Sequence, residues 1–333
     1  MVVAKSGEGG SEGKTKVVDV KLKTYDELPE YMKENEFIRG HYRSEWPIKH
    51  AFFSLFRWHN ETLDVWTHLI GLCLFVGLTL MHLRDDVPVV TDLLQNFYWS
   101  NSFAGSENAS KPEGIFYIQL ISDVLLPTAD AKAPRWPFFV FMFGSMFCFL
   151  SSSICHLFCC HSHRLSLALL RMDYAGIAVM IVTSFFPPIF YIFLCQPHWQ
   201  FLYLAAITVM GCFTVLTLLA PHLSKGPCRG FRAMLFLAMG FSGFLPAIHG
   251  TIVNWNQPQR SLTLAYESAM AVSYVTGTIF YVTRVPERWK PGGFDLVGHS
   301  HQIFHLFVIF GALAHYGAAL VLLNWRDQAG CAL

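Results

Sequence analysis

The chain has 333 residues, of which 53% are hydrophobic, 15% aromatic and only 14% charged, and its formal net charge is +1. This composition excludes an ordinary soluble domain, which carries more charged residues. The near-zero net charge excludes nucleic acid as a partner, because no strongly basic surface is available to bind phosphates. The composition is instead typical of a protein that crosses a membrane several times.

The first 64 residues are more polar than the rest of the chain. Residues 1–24 begin "MVVAKSGEGGSEGKTK", which lacks the apolar core of a signal peptide and predicts a disordered cytosolic tail. Residues 25–64 mix charges with aromatic side chains such as Phe52, Phe53 and Trp58. They predict a helical segment that either lies on the membrane surface or packs as a short soluble helix under the bundle, and the sequence leaves both options open.

The remaining sequence predicts an all-α fold, a bundle of seven transmembrane helices between residues 65 and 323. A spanning helix needs about 20 mainly apolar residues. A long first loop is expected over 84–136 and a short tail over 324–333. The seven candidate spans are centred on 65–83, 137–158, 174–194, 201–220, 233–252, 262–283 and 301–323.

Prolines are expected to kink two of the spans, and the cysteines are not expected to cross-link the bundle. Pro187 and Pro188 in the third span and Pro246 in the fifth predict kinks, because proline removes a helical hydrogen-bond donor. The nine cysteines are scattered, mostly within apolar runs or on the predicted cytosolic side, so no disulfide framework is expected.

Lys and Arg in the short loops predict the orientation of the bundle. The short loops after the third and fifth spans are poor in these residues: the first has none, and the second has Arg260. Because cytosolic loops are enriched in Lys and Arg, the N-terminus should be cytosolic and the C-terminus outside. The loops after the second, fourth and sixth spans hold Arg164 and Arg171, then Lys225, Arg229 and Arg232, then Arg284, Arg288 and Lys290.

The ionisable residues near the spans gather at one end of the bundle. With the orientation above, the second span ends around His156, while the third and seventh begin around Asp173 and His301. All three ends meet at the cytosolic leaflet. Ionisable residues in a membrane are costly and mark candidate functional sites, so we expect these side chains, together with His305, to share one small volume.

The residue types in this cluster favour a zinc site. His301 and His305 are four residues apart and therefore lie on one helix face, and His156 adds a third imidazole. Three histidines with an open fourth position are typical of catalytic Zn²⁺, whereas a closed set of four ligands is structural. Asp173 would orient the attacking water or take its proton, and Ser152, one turn before His156, would hydrogen-bond a ligand or the substrate.

Other interpretations stay open at this point. Each histidine can be an ordinary satisfied interfacial residue, and paired histidines in a bundle can hold haem. Glu267 is interpreted as a hydrogen-bonding partner within the bundle or as a proton relay. A second soft-ligand zinc set is offered by Cys155, Cys159, Cys160, His161 and His163.

Four segments resemble signatures of the progestin and adipoQ receptor family. They are "HNETLDVWTHLIG" (59–71), "SSICHLFCCHS" (152–162), "MDYAGI" (172–177) and "FDLVGHSHQIFH" (294–305). The resemblance runs from about residue 40 to 323, and the polar N-terminal stretch is similar to the plant heptahelical members related to adiponectin receptors. One departure is Asp64, where the family usually has Asn.

The resemblance implies a seven-helix bundle with a cytosolic N-terminus. It also implies a Zn²⁺ ion held by His156, His301 and His305, with Asp173 contacting the metal through water. Adiponectin-receptor members resemble membrane hydrolases that cleave ceramide into sphingosine and fatty acid.

Two functions from different classes follow. The chain is either a receptor-like signalling protein that acts by zinc-dependent hydrolysis of a ceramide-like lipid amide, or a receptor or scaffold in which zinc only staples the helices. A transporter is the weaker third option, because the polar residues sit at one end rather than at the bilayer midplane. Membrane lipids and a signalling partner are the expected contacts, in the plasma membrane or an endomembrane.

Overall fold

The computed structural model describes residues 20–102, 132–220 and 228–331, with backbone alone for residues 84–102. Helices make up its regular structure, apart from one isolated backbone bridge between Lys23 and Tyr42 and short 3₁₀ turns in these ranges. The α-helices are α1 (Ile48–Phe53), α2 (Thr62–Ser102), α3 (Trp136–Phe158), α4 (His163–Ser184), α5 (Phe186–Ile192), α6 (Pro197–Leu218), α7 (Arg229–Phe241), α8 (Phe244–Val253), α9 (Gln259–Thr283) and α10 (Ser300–Ala329).

The helices confirm the predicted bundle. Six segments of the described chain are long and apolar enough to cross a membrane: the start of α2, then α3, α4 with α5, α6, α7 with α8, and α10. The seventh, α9, is 25 residues long but carries Gln259, Arg260 and Glu267, which lower its hydropathy. It packs along α10, where a Cβ added to Gly311 would lie 2.4 Å from the Tyr274 ring. This close contact fixes α9 as part of the bundle.

Both predicted kinks are present as breaks between helices. α4 ends at Ser184, and α5 begins at Phe186 with Pro187 and Pro188 in its first turn. α7 ends at Phe241, and α8 begins at Phe244 with Pro246 as its third residue. Proline is tolerated in a first turn because the N–H groups there have no helical partner. The third and fifth spans are therefore each built from two shorter helices.

Some predicted boundaries differ from the structure. The backbone of α2 stays helical to Ser102, so the prediction of a loop over 84–136 is wrong for its first part. A helix does not have to end where its apolar run ends, and the charged residues that follow residue 83 do not end α2. α10 likewise continues to Ala329, inside the predicted tail 324–333. Residues 103–131 of the loop and 1–19 of the predicted N-terminal tail lie outside the described residues.

The segment before α2 packs against the end of α3. Arg43 is buried, and its guanidinium donates hydrogen bonds to the carbonyl oxygens of His156 at 2.7 Å and Leu157 at 2.8 Å. Carbonyls in the last turn of a helix lack helical partners, so this arginine completes α3. In α1, Ala51 is buried while Phe52 and Phe53 are about half exposed. The segment thus combines a packed face with an exposed apolar face.

The opposite end of the bundle is closed by contacts of the C-terminal helix. A disulfide joins Cys195, after α5, to Cys331, after α10. The expectation of no disulfide is wrong for this pair, because the two cysteines are 136 residues apart and only the fold brings them together. Arg326 donates to the Ile192 carbonyl at 2.9 Å, and Arg135 pairs with Asp327 at 2.7 Å.

Candidate metal centre

Three predicted ligands meet at one end of the bundle. His156 lies in the last turn of α3, and His301 and His305 lie in the first two turns of α10. One nitrogen from each imidazole lies within 4.8 Å of the other two, and His156 Nε2 is 3.2 Å from His301 Nε2. The spacing of four residues on α10 and the position of His156 at a helix end bring these groups together, as predicted.

The second nitrogens of two of these imidazoles are held by oxygen atoms. His156 Nδ1 lies 2.5 Å from Glu61 Oε2. His305 Nδ1 lies 3.1 Å from the carbonyl oxygen of Asp64 and 3.2 Å from Thr67 Oγ1. Histidines that bind metals are oriented in this way, with one nitrogen donating to an oxygen and the other facing the ion. The donor set therefore fits a metal ion that prefers nitrogen ligands, such as Zn²⁺.

Glu61 was not predicted as a site residue. It precedes α2 directly and is 95 residues from His156 in sequence, so no spacing rule connects the two. Burial opposes ionisation of the Glu61 carboxyl, but the adjacent His156 imidazole, which bonds the carboxyl through Nδ1, outweighs burial and holds the Glu61 pKa well below its usual range. Glu61 therefore supplies a carboxylate to the imidazole. The one feature of the sequence that could have pointed to Glu61 is its place in "HNET", within a segment that resembles a family signature.

A second ion pair fixes the start of α10 next to the ligands. His299 is the N-cap residue, and its Nε2 lies 3.3 Å from Asp64 Oδ2. Burial lowers the pKa of His299, but the Asp64 carboxylate more than offsets this effect and raises it to about 9. Glu287 accepts a hydrogen bond from the Ser300 backbone N–H at 2.7 Å. Two acidic side chains thus hold the helix end that carries His301.

Asp173 and Ser152 both lie on the wall of the same cavity as the histidines. Asp173 projects from α4 and Ser152 from α3, and both are buried. His68 of α2 stacks on His305, with ring centroids 3.7 Å apart and an interplanar angle of 4°. His68 therefore holds the His305 ring in place by stacking. All five predicted site residues share one region of the bundle.

The cavity has a volume of about 980 Å³ and is mostly apolar. It begins at the N-terminal segment beside Tyr31, passes the histidines and reaches Asn254 and Trp255 in the loop before α9. Residues such as Phe236 and Met270 line its middle. A molecule with a long apolar chain fits this space with a polar group next to the histidines.

The alternative set of soft ligands is not assembled in the described part of the chain. There, two groups of three side chains have the spacing of metal ligands, the three histidines and the set Glu61, Asp64 and His156. Cys159 and Cys160 instead point back to carbonyl oxygens of α3, and His161 Nδ1 bonds the Trp46 carbonyl at 2.8 Å. The prediction of a second zinc site is therefore wrong for the described residues.

Comparison with known proteins identifies the relatives of this chain. A family model for haemolysin-III-related proteins matches residues 56–316. Heptahelical transmembrane protein ADIPOR1 of Oryza sativa subsp. japonica is 55% identical over 328 residues, which cover 94% of this chain and 87% of that protein. Heptahelical transmembrane protein 1 of Arabidopsis thaliana is 55% identical over 314 residues, covering 93% and 83%.

A more distant relative carries a receptor name. The adiponectin receptor protein of Drosophila melanogaster is 32% identical over 295 residues, which cover 88% of this chain and 57% of that protein. The family match spans well over half of the chain, and it includes every predicted site residue. The chain therefore belongs to the haemolysin-III-related, progestin and adipoQ receptor family, as a heptahelical membrane protein similar to adiponectin receptors.

Proposed function

We propose that the chain is a zinc-dependent hydrolase of a ceramide-like lipid amide, acting within a receptor-like signalling protein. One observation carries the proposal: three imidazoles converge beside a buried carboxyl group on the wall of a large apolar cavity. A long-chain amide is the substrate class that suits both parts, because its chains fill the cavity and its carbonyl lies at the polar end.

His156, His301 and His305 would hold the ion and leave its fourth position open for reaction. A Zn²⁺ ion there supplies a Lewis acid that polarises the amide carbonyl and makes water more acidic. Glu61 and the Asp64 carbonyl keep the imidazoles in the orientation that presents Nε2. The cavity wall provides the apolar surroundings in which such polarisation is strongest.

Asp173 is the proposed general base. Its carboxylate takes a proton from the attacking water and returns it to the amide nitrogen as the C–N bond breaks, which releases an amine and a fatty acid. Ser152 Oγ is buried without a hydrogen-bond partner among the described residues, so its hydroxyl would be available to hydrogen-bond the substrate. The apolar cavity wall holds the chains and limits access of other water molecules.

The competing proposal is a zinc staple without catalysis. The ligands come from α3 and α10, so an ion would join two helices that are far apart in sequence. A cavity of about 980 Å³ beside the ligands is more than a staple requires. Asp173 also has no part in a purely structural site, and both features favour the hydrolase.

The orientation is proposed to place the N-terminus in the cytosol. The Cys195–Cys331 disulfide supports this, because it lies at the end of the bundle opposite His301, where the prediction places the extracytosolic side. In sealed microsomes, protease added outside should remove an N-terminal tag and spare a C-terminal tag. Loss of the C-terminal tag in intact vesicles would reverse the assignment.

The metal content tests the ligand set. Detergent-purified wild type should hold close to one zinc per chain by elemental analysis, and the His301→Ala/His305→Ala variant should hold little. Asp173→Asn should retain zinc, because it removes no direct ligand. The control is His163→Ala/His198→Ala, which removes two histidines outside the site. Equal zinc in both double variants would contradict the assignment.

Removing the charge of Glu61 should weaken the metal site without destroying it. Glu61→Gln keeps the side-chain shape, so the expected loss of zinc affinity is about 10- to 100-fold, as for other groups that orient ligands. Competition with a chelator measures the affinity. Glu36→Gln is the matched control, because Glu36 pairs with Arg284 away from the histidines. An affinity equal to that of wild type in Glu61→Gln would show that the contact has no orienting role.

Hydrolysis is tested directly with a long-chain ceramide in mixed micelles. Wild type should release fatty acid, detected by mass spectrometry, and Asp173→Asn should lower turnover at least about 100-fold because the general base is lost. Wild type treated with a chelator is the control for the metal, and it should release no fatty acid. No fatty acid from zinc-loaded wild type, together with loss of thermal stability after chelation, would favour the staple.

A further inference from the structure

The outer half of the cavity carries polar side chains that the proposed hydrolysis does not use. On α9, Gln259, Thr263 and Glu267 recur every four residues and therefore follow one helix face. All three line the cavity, as do His315 and Trp325 of α10. Glu267, interpreted from sequence as a bundle partner or a proton relay, thus belongs to a polar cluster facing open space.

Several atoms of this cluster are buried without a partner. Thr263 is 7% exposed and His315 only 1%. Within the described residues, no hydrogen bond is made by Gln259 Oε1, Thr263 Oγ1, His315 Nε2 or Trp325 Nε1. Buried polar atoms are nearly always hydrogen-bonded, because their desolvation is otherwise uncompensated. Four such atoms around one cavity point to a ligand that supplies the missing bonds.

The charges of the cluster limit the kind of ligand. Glu267 Oε1 lies 3.0 Å from His315 Nδ1, so the carboxylate already has a partner on the neighbouring helix. Arg260 also lines this end, but its guanidinium stacks on the Trp255 ring and donates to the Trp255 carbonyl oxygen. A ligand with a net charge would therefore bring an uncompensated charge into buried surroundings. Oxygen acceptors on Gln259 and Glu267 suit donating hydroxyl groups, and Trp325 Nε1 can donate to a hydroxyl oxygen.

We propose that the outer end of the cavity is a second lipid subsite, which binds the uncharged, hydroxyl-bearing head of a single-chain amphiphile. The tail lies in the apolar middle of the cavity. His305 and His315 are ten residues apart on α10, which corresponds to about 15 Å of helix rise between the two polar ends. The subsite uses no proposed metal ligand, so it does not depend on hydrolysis.

The probe is radiolabelled 1-O-hexadecylglycerol, an ether that amide or ester hydrolysis cannot cleave. Its dimethyl ether keeps the tail and removes both hydroxyl donors. Equilibrium binding to the detergent-purified full chain should be at least about tenfold weaker for the dimethyl ether. Palmitate and hexadecylamine should also compete poorly because they are charged. Equal binding of the dimethyl ether, or stronger binding of either charged lipid, would overturn the proposal.

A pair of matched variants locates the binding. Thr263→Val removes the unpartnered hydroxyl and should weaken hexadecylglycerol binding about tenfold. Thr278→Val is the control: Thr278 lines the same cavity from the same helix, but its Oγ1 already donates to the Tyr274 carbonyl at 2.7 Å. Unchanged binding in Thr263→Val, or an equal loss in both variants, would contradict the subsite. If Thr263→Val does not fold, the comparison of the two ethers on wild type decides.

One further variant separates this subsite from the metal centre. His301→Ala/His305→Ala should lose zinc and still bind hexadecylglycerol with wild-type affinity, because the outer cluster is intact. Loss of binding in this variant, with a monodisperse and folded protein, would mean that the head group binds at the histidines instead. The two proposals can therefore be tested separately: either hydrolysis or hexadecylglycerol binding can be disproved without the other.

Discussion

The structure around the candidate site depends on satisfying both nitrogens of each buried imidazole. A neutral imidazole has one donor and one acceptor nitrogen. His156 and His305 use Nδ1 on Glu61 and on the Asp64 carbonyl, which leaves Nε2 of each to find a partner inside an apolar bundle. A proton on His301 Nε2 can serve only one of these acceptors, His156 Nε2 at 3.2 Å, whereas a cation accepts all three lone pairs at once. This donor arrangement therefore favours a metal site over histidines that serve packing alone.

The three histidines lie on α3 and α10, but the groups that orient them come from elsewhere. Glu61 and Asp64 belong to the turn and first residues of α2, and Arg43 of the preceding segment completes the end of α3. Asp64 acts twice, because its carbonyl holds His305 while its carboxylate holds His299. The N-terminal segment and the ligand cluster are therefore one structural unit, although the segment contributes none of the three histidines.

The sequence was sufficient for the parts of the site that depend on helix position. Span boundaries and the Lys/Arg count placed His156, Asp173 and His301 at one end, and the spacing of four residues added His305. Glu61 and the Asp64 carbonyl could not be predicted, because they act through the geometry of a turn and a backbone atom. The Cys195–Cys331 pair depends on tertiary contact between chain segments that no local pattern connects.

The polar face of α9, formed by Gln259, Thr263 and Glu267, was not predicted as a binding site for a different reason. The spacing of Gln259, Thr263 and Glu267 is visible in the sequence, but its meaning depends on which face of α9 meets α10 and which meets the cavity. Once that face is known, the histidines and these three residues become the two polar ends of a single apolar space. An amphiphile bound at one end and a lipid chain bound at the other compete for the same volume. Such competition is reciprocal by thermodynamic necessity, so binding at the outer end would lower affinity at the histidines without any movement of helices.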